Sequence, residues 1–237
     1  DGTINTVVTA PSDPDANGAI DVETDGGSTI QLKQNAEVQG DTFTGVSVET
    51  TSSTDAIVVQ GTIDENDPSV RHGVISGGVH GINAVSNGGP VTVSDLASVD
   101  GGTGAGIFAR TTGGTATITD ITGVTSDDSY AIDVDTRLKT VTQDENNDDV
   151  IEYSGGADIS IQNIAIPEFD DDGEPLTPDV RSYDGIFALS GTGNINIGAD
   201  NGLEENAIGH IFAIYDGINA QSDGGSIDIH TGGRIES

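Results

Sequence analysis

The sequence contains no cysteine, methionine or tryptophan, and only 7 of its 237 residues are lysine or arginine. Without cysteine there are no disulfides, thiolate metal sites or thiol nucleophiles. The 40 acidic residues bring the formal net charge to −33, which opposes binding to nucleic acid or to an anionic membrane surface. No apolar run approaches the roughly 20 residues that a membrane-spanning helix needs. We therefore expect no nucleic-acid partner and no direct insertion into a membrane.

The apolar residues that are present favour β-strands. The chain has 26 isoleucines and 6 leucines, and isoleucine is branched at its β-carbon, which suits strands better than helices. The 34 glycines, with scattered Asn and Asp, supply turns. This composition predicts an all-β protein. Strong acidity with 4% aromatic residues is also typical of disorder, but the ordered spacing of Ile and Val argues against it.

A repeat runs along the whole chain, with the pattern G-I-x-A-x-S-x-G-G-x-I-x-I. Clear copies are GINAVSNGGPVTVSDLASV (81–99) and GINAQSDGGSIDIHTGGRI (217–235). The copies begin near residues 18, 45, 81, 106, 131, 185 and 217. In each copy, apolar and polar residues alternate, which places the apolar ones on one face of a strand. The isoleucines after the first glycine should form one buried column: Ile82, Ile107, Ile132, Ile186 and Ile218.

Three short strands in each repeat, without helices, predict a single-stranded parallel β-helix of about seven to nine coils. Each strand pairs with its equivalent about 4.8 Å along the axis, and the inward residues fill the interior. The chain, residues 1–237, is then a single β-helix domain. An antiparallel sandwich also has short strands, but it does not require the same glycine and isoleucine positions to recur.

Tandem repeats such as GIFARTTGGTATI (106–118) and GIFALSGTGNINI (185–197) resemble the passenger regions of Gram-negative autotransporters and related large adhesins. The resemblance covers about residues 17–237 and implies a right-handed β-helix that is secreted across the outer membrane. It predicts an extracellular stalk or adhesin segment at a bacterial cell surface. Its partner would be a receptor or glycan on a host or neighbouring cell. We expect the chain to be a segment of a longer rod, with end-to-end or lateral self-association left open.

Four insertions interrupt the repeat, and insertions are where repeat proteins usually carry binding residues. They lie near residues 64–73, 136–154, 167–183 and 198–210. Between residues 144 and 179 there are 12 acidic side chains and no basic one. These insertions are therefore the predicted sites of contact with a partner.

Alternating oxygen-bearing residues in two insertions are candidate calcium ligands. They are Asp144, Asn146 and Asp148 in the first insertion, and Glu168, Asp170 and Asp172 in the second, where Asp179 adds a carboxylate at the twelfth place of a calcium loop. Calcium takes six to eight oxygen ligands, which such clustering supplies. The alternative is a pair of solvated acidic loops, and we expect no cofactor other than Ca²⁺.

The residue between Ile and Ala in each repeat should point outward, and it is polar in most copies. Phe108 and Phe187 are exceptions, and Phe212 has the same place in the Ile211–Ala213 segment. Exposed aromatic residues can form a binding platform for a partner or a glycan. The alternative is that the long insertions cover them.

No serine-nucleophile or zinc-protease motif occurs in the sequence, and we therefore expect a protein that is not an enzyme. Two other functions stay open. One is a polysaccharide-acting lyase or hydrolase, which would need clustered carboxylates on one face. The other is a calcium-dependent structural array or filament subunit.

Overall fold

The structure is a computed structural model. It describes residues 2–4, 7–9, 18–34, 36–143, 149–164, 180–182, 184–198, 208–209, 211–232 and 235–236. Across these residues the chain forms 27 β-strands and no helix, which confirms the all-β prediction.

Most strands belong to three parallel sheets. Sheet A contains β1 (Gly2–Ile4), β4 (Ser28–Leu32), β7 (Ile57–Gln60), β12 (Val91–Leu96), β15 (Ala116–Ile121), β20 (Ile159–Ile164), β23 (Ile195–Ile197) and β26 (Ile227–Ile229). Sheet B contains β2 (Val7–Thr9), β5 (Glu37–Gly40), β10 (Val74–Gly77), β13 (Ser98–Gly101), β16 (Val124–Ser126), β21 (Val180–Ser182), β24 (Ile211–Ala213) and β27 (Ile235–Glu236). Sheet C contains β3 (Gly18–Thr24), β6 (Thr44–Thr50), β11 (Ile82–Ser86), β14 (Ile107–Thr111), β17 (Tyr130–Asp135), β22 (Asp184–Ser190) and β25 (Ile218–Ser222).

From β3 onward the chain visits sheets C, A and B in turn, and each strand pairs with the equivalent strands of neighbouring repeats. This pairing is parallel in all three sheets, for example between β11 and β14, which excludes the antiparallel sandwich. The arrangement is compatible with a parallel β-helix or solenoid.

The predicted isoleucine column is confirmed. Ile82, Ile107, Ile132, Ile186 and Ile218 are partners in register along sheet C. The first four are at most 1% exposed, and they belong to one continuous hydrophobic core. Alternate residues of sheets A and B contribute to the same core, so period-two alternation places the interior of the fold correctly.

The Ser/Thr-x-Gly-Gly part of the repeat makes the corner between sheets C and A. The Thr111 hydroxyl donates to the carbonyl oxygen of Gly89 at 2.9 Å and accepts from the Gly114 amide at 3.1 Å. Ser222 does the same with Gly193 and Gly225. These contacts satisfy backbone groups that the sharp corner removes from the sheets.

Two insertions form antiparallel hairpins. β8 (Thr62–Ile63) pairs with β9 (Arg71–His72), and β18 (Leu138–Gln143) pairs with β19 (Asp149–Ser154). Each hairpin is a separate two-stranded sheet, so neither interrupts sheets A, B or C.

The predicted boundary of insertion 167–183 was too wide. Its last residues form β21, which is part of sheet B and pairs with β16 and β24. The third strand of that repeat therefore lies inside the segment that the sequence marks as an insertion.

Candidate functional site: the outward face of sheet C

One column of outward positions on sheet C carries an unusual group of side chains. In this column each residue is the register partner of the next: Asp21, Ser47, Asn83, Phe108, Asp133, Phe187 and Asn219. Asp133 therefore lies on the strand between the two that carry Phe108 and Phe187. Adjacent strands lie about 4.8 Å apart, so a carboxyl group is placed between two phenyl rings.

Phe108 is in contact with two titratable side chains. The guanidinium carbon of Arg110 lies 4.4 Å from the centre of the Phe108 ring, a cation–π geometry. The His80 ring lies 5.0 Å from the same ring, tilted by 33°. Phe108 is partly exposed and Arg110 is exposed. The Phe108 ring thus contacts Arg110 and His80, and part of it is exposed to solvent.

Phe187 has a different neighbour. The Tyr130 ring stacks on it with a centroid distance of 4.8 Å and an interplanar angle of 26°. Tyr130 begins β17 and is the register partner of Asp184 on β22. Both rings are partly exposed, so sheet C presents an aromatic pair beside the Asp133 carboxyl group.

Asp133 differs from an ordinary surface carboxylate. Burial raises its pKa to about 6, with a smaller lowering effect from Arg110 and a further raising effect from Asp135. One of its oxygens, Oδ1, is buried without a hydrogen-bond partner among the described residues. Asp135, two residues along the same strand, instead accepts hydrogen bonds from Arg137 at 3.0 and 2.9 Å. On one face of the strand, the Asp133 carboxyl group therefore has an oxygen atom without a hydrogen-bond partner, whereas the Asp135 carboxylate is paired with Arg137.

His80 and Tyr130 also have shifted pKa values. Burial lowers the pKa of His80, with Arg110 acting in the same direction and the Ala105 backbone opposing it. Burial raises the pKa of Tyr130, and the carboxylates of Asp184, Asp133 and Asp216 raise it further. Both groups are then neutral at physiological pH. Groups with shifted pKa values that meet on one surface are candidates for a functional site.

The three predicted aromatic residues do not lie together. The structure places Phe108 and Phe187 two strands apart on the outward face of sheet C. Phe212 belongs to β24 in sheet B, where it pairs with Arg181. The three phenylalanines share the Ile-Phe-Ala pattern, but this pattern does not indicate which strand of the repeat contains it.

The seven predicted calcium ligands lie outside the described residues. Within the part of the chain that the structure describes, no three His, Cys, Asp or Glu side chains converge closely enough to hold a metal ion. In the same ranges, no helix of sufficient length and hydropathy to cross a membrane is present.

Tyr130 was not predicted as a site residue. Asp133 was recognisable as an outward position of the repeat, but the side chains beside it, Phe108 and Phe187, come from two neighbouring repeats. Tyr130 precedes Ala131, which stands where most repeats have glycine. An aromatic residue directly before this altered position was the one sequence signal that could have identified Tyr130.

Comparison with known proteins adds no assignment. The chain matches no protein-family profile, and no curated protein or solved structure is detectably similar to it.

Proposed function

We propose that this chain is a non-enzymatic segment of a secreted or cell-surface β-helical stalk or adhesin. In this proposal it is a right-handed β-helix of about seven to nine coils, each with three short strands. The cyclic order of strands in sheets C, A and B supports this architecture. The resemblance of the repeats to autotransporter passengers supports the handedness and the extracellular location.

The observation that carries the proposal is the separation of scaffold and insertions. The hairpins β8–β9 and β18–β19 pair within themselves, while the parallel sheets continue past them without interruption. In a repeat protein the core is stabilised between neighbouring repeats, so insertions are free to carry binding residues. We propose that insertions 136–154 and 167–183, with the outward face of sheet C, contact a receptor or glycan on another cell.

The test is to replace residues 138–154 and residues 167–179 of these insertions with short Gly-Ser links, separately and together, so that Thr136 and strand β21 stay in place. The thermal transition should be retained, because the nearest-neighbour interfaces are intact. Attachment to cells or to immobilised glycans should be lost. Unchanged attachment by the doubly shortened variant would contradict an adhesin that binds through these insertions, and would favour a bare stalk.

One observation favours the alternative of a polysaccharide-acting enzyme. Asp133 and Asp135 project from one strand, and the raised pKa of Asp133 suits a general acid while Arg137 keeps Asp135 in an ionic pair. Incubation with pectin, alginate and neutral glycans, followed by measurement of reducing ends and unsaturated products, separates the two functions. Steady product release that Asp133→Asn abolishes would establish the enzyme, whereas binding without products supports the adhesin.

A further inference from the structure

The Tyr130–Phe187 pair lies beside three acidic side chains, Asp133, Asp184 and Asp216, whose carboxylates all act on the Tyr130 hydroxyl group and raise its pKa. Asp184 is the register partner of Tyr130, and it accepts a hydrogen bond from the Asp216 amide at 3.1 Å. Asp133 is the register partner of Phe187. Among the side chains that the structure describes, neither Asp184 nor Asp216 has an ion-pair partner. An aromatic stack is therefore bordered by the carboxyl groups of Asp133 on β17, of Asp184 on β22, and of Asp216, which lies between β24 and β25.

Arg110 and Arg137, which lie on β14 and shortly after β17, have other contacts. Arg137 binds Asp135 through two hydrogen bonds. Arg110 lies over the Phe108 ring, at 4.4 Å from its centre. The position that corresponds to Arg110 beside Phe187 is Leu189, which has no charge. Among the side chains that the structure describes, the Phe108 ring thus has a guanidinium group against it, whereas the corresponding position beside Phe187 carries no charge.

The shape of the cluster favours an organic cation over a metal ion. No three carboxylates among the described residues approach closely enough to hold a metal. An ammonium or guanidinium group is larger than a metal ion and binds well to aromatic rings. Carboxylates can stabilise it electrostatically from a longer distance than direct metal coordination requires. The net charge of −33 attracts such a group from a distance and repels anionic partners.

We infer that Tyr130, Phe187 and the surrounding Asp133, Asp184 and Asp216 form a docking site for a lysine or arginine side chain of a basic partner protein. This inference rests on the proposed binding function and names the chemistry of its partner. Arg110 over Phe108, beside Asp133 on the neighbouring strand, shows the same recognition made within the chain. A neutral glycan at this face is the competing occupant.

The experiment titrates a short oligolysine or oligoarginine peptide into the full chain by calorimetry, at about 0.15 M salt, where exposed charges more than about 8 Å apart are screened. Phe187→Leu and Tyr130→Leu keep an apolar side chain but remove the aromatic ring. Each should weaken peptide binding by about fivefold, the contribution of a partly desolvated cation–π contact. Thermal transitions of the variants report whether the fold is intact.

Charge removal provides the matched control. The double variant Asp184→Asn with Asp216→Asn should weaken binding strongly. Glu49→Gln with Asp100→Asn removes the same charge from exposed positions elsewhere on sheets C and B and should change the affinity little. Equal losses in the two pairs, or no binding at this salt concentration, would overturn the inference. Binding of a neutral oligosaccharide that Phe187→Leu abolishes, without peptide binding, would also overturn it.

The inference can fail while the proposed function survives. Replacing residues 138–154 and 167–179 leaves strand β21 and the site residues Tyr130, Phe187, Asp184 and Asp216 in place, so peptide binding should persist in that variant. Attachment lost on shortening, with no peptide binding by the unaltered chain, contradicts the docking site alone. Peptide binding retained with attachment unaffected by shortening contradicts the role of the insertions alone.

Discussion

The guanidinium group of Arg71 donates a hydrogen bond of 2.8 Å to the Asp120 carboxylate, across 49 positions of the sequence. Arg71 belongs to hairpin β8–β9, and its side chain is 10% exposed. Asp120 lies on β15, with φ +61°, and Asp95 and Asn163 have similar values at the equivalent places of β12 and β20. The ion pair thus connects an insertion to a position of positive φ that recurs in three strands of sheet A.

Breaking this pair should destabilise the fold. Asp120→Ala leaves a mostly buried guanidinium group without its carboxylate, and we expect a loss of about 1–3 kcal/mol in the free energy of unfolding. Adding Arg71→Leu to that variant should recover part of the loss, because the unpaired charge is removed. Denaturant unfolding of both single variants and the double variant measures the coupling. Additive effects would show that the contact contributes nothing to stability.

The isoleucine column should not tolerate a charge. Ile107 is 0% exposed, so Ile107→Asp buries a carboxyl group among apolar side chains and should cost about 3 kcal/mol or more. Asn83→Asp on the outward face of the same sheet is the matched control and should change stability by less than about 0.5 kcal/mol. Thermal unfolding compares the two. Similar melting temperatures would mean that the strand faces have been assigned the wrong way round.

Features that recur within one repeat were predictable from the sequence. Ile82, Ile107 and Ile132 follow the same glycine or alanine in successive copies, and alternation alone assigns them to the interior. The Gly-Gly corners were predictable for the same reason, because the glycines that a tight turn requires recur at the same place in the repeat. Parallel pairing then follows from stacking equivalent segments.

Contacts between different repeats were not predictable in this way. Tyr130 meets Phe187 because β17 and β22 are neighbours, although the insertion of 136–154 and the following segment separate them in sequence. The unusual pKa of Asp133 likewise depends on which side chains the two adjoining repeats supply. The Arg71 contact requires the position of a hairpin, which the repeat pattern does not encode.

The second glycine of the corners should be irreplaceable. A Cβ atom at Gly114 would lie 2.4 Å from the carbonyl oxygens of Gly88 and Gly89 in the preceding repeat, so Gly114→Ala must push two repeats apart. We expect a loss of more than about 1 kcal/mol. Gly26→Ala is the control, because its nearest neighbour would be the Thr24 hydroxyl oxygen at 3.9 Å. Chemical denaturation should rank the two variants in this order, and the reverse order would contradict the packing of the corner.

The acidic insertions predict calcium-dependent stability. If Asp170, Asp172 and Asp179 bind calcium in the folded chain, a chelator should lower the melting temperature by removing a ligand of the native state. Scanning calorimetry with excess calcium and with chelator measures the shift. The variant with Asp170→Asn and Asp172→Asn should show no calcium effect. An unchanged transition in the parent chain would leave these residues as a solvated loop.

The pKa of Asp133 predicts an unusual pH dependence. Its pKa is about 6 in the folded chain and 3.8 as the reference for the unfolded chain, so the folded state binds the proton more tightly. Protonation therefore stabilises the fold fully below about pH 4, and this contribution is lost as the pH rises through about 6. The difference between the two pKa values corresponds to about 3 kcal/mol.

Asp133→Asn should remove this dependence, because the amide has no charge to desolvate. We expect the variant to exceed the parent in unfolding free energy by up to about 3 kcal/mol above pH 7, relative to their difference at pH 4. Glu49→Gln on the same sheet removes an exposed carboxylate and should leave the shape of the pH profile unchanged. Urea unfolding from pH 4 to pH 8 measures all three chains. Parallel profiles for Asp133→Asn and the parent would mean that Asp133 is solvated and ionised, and that the phenyl rings of Phe108 and Phe187 do not enclose it.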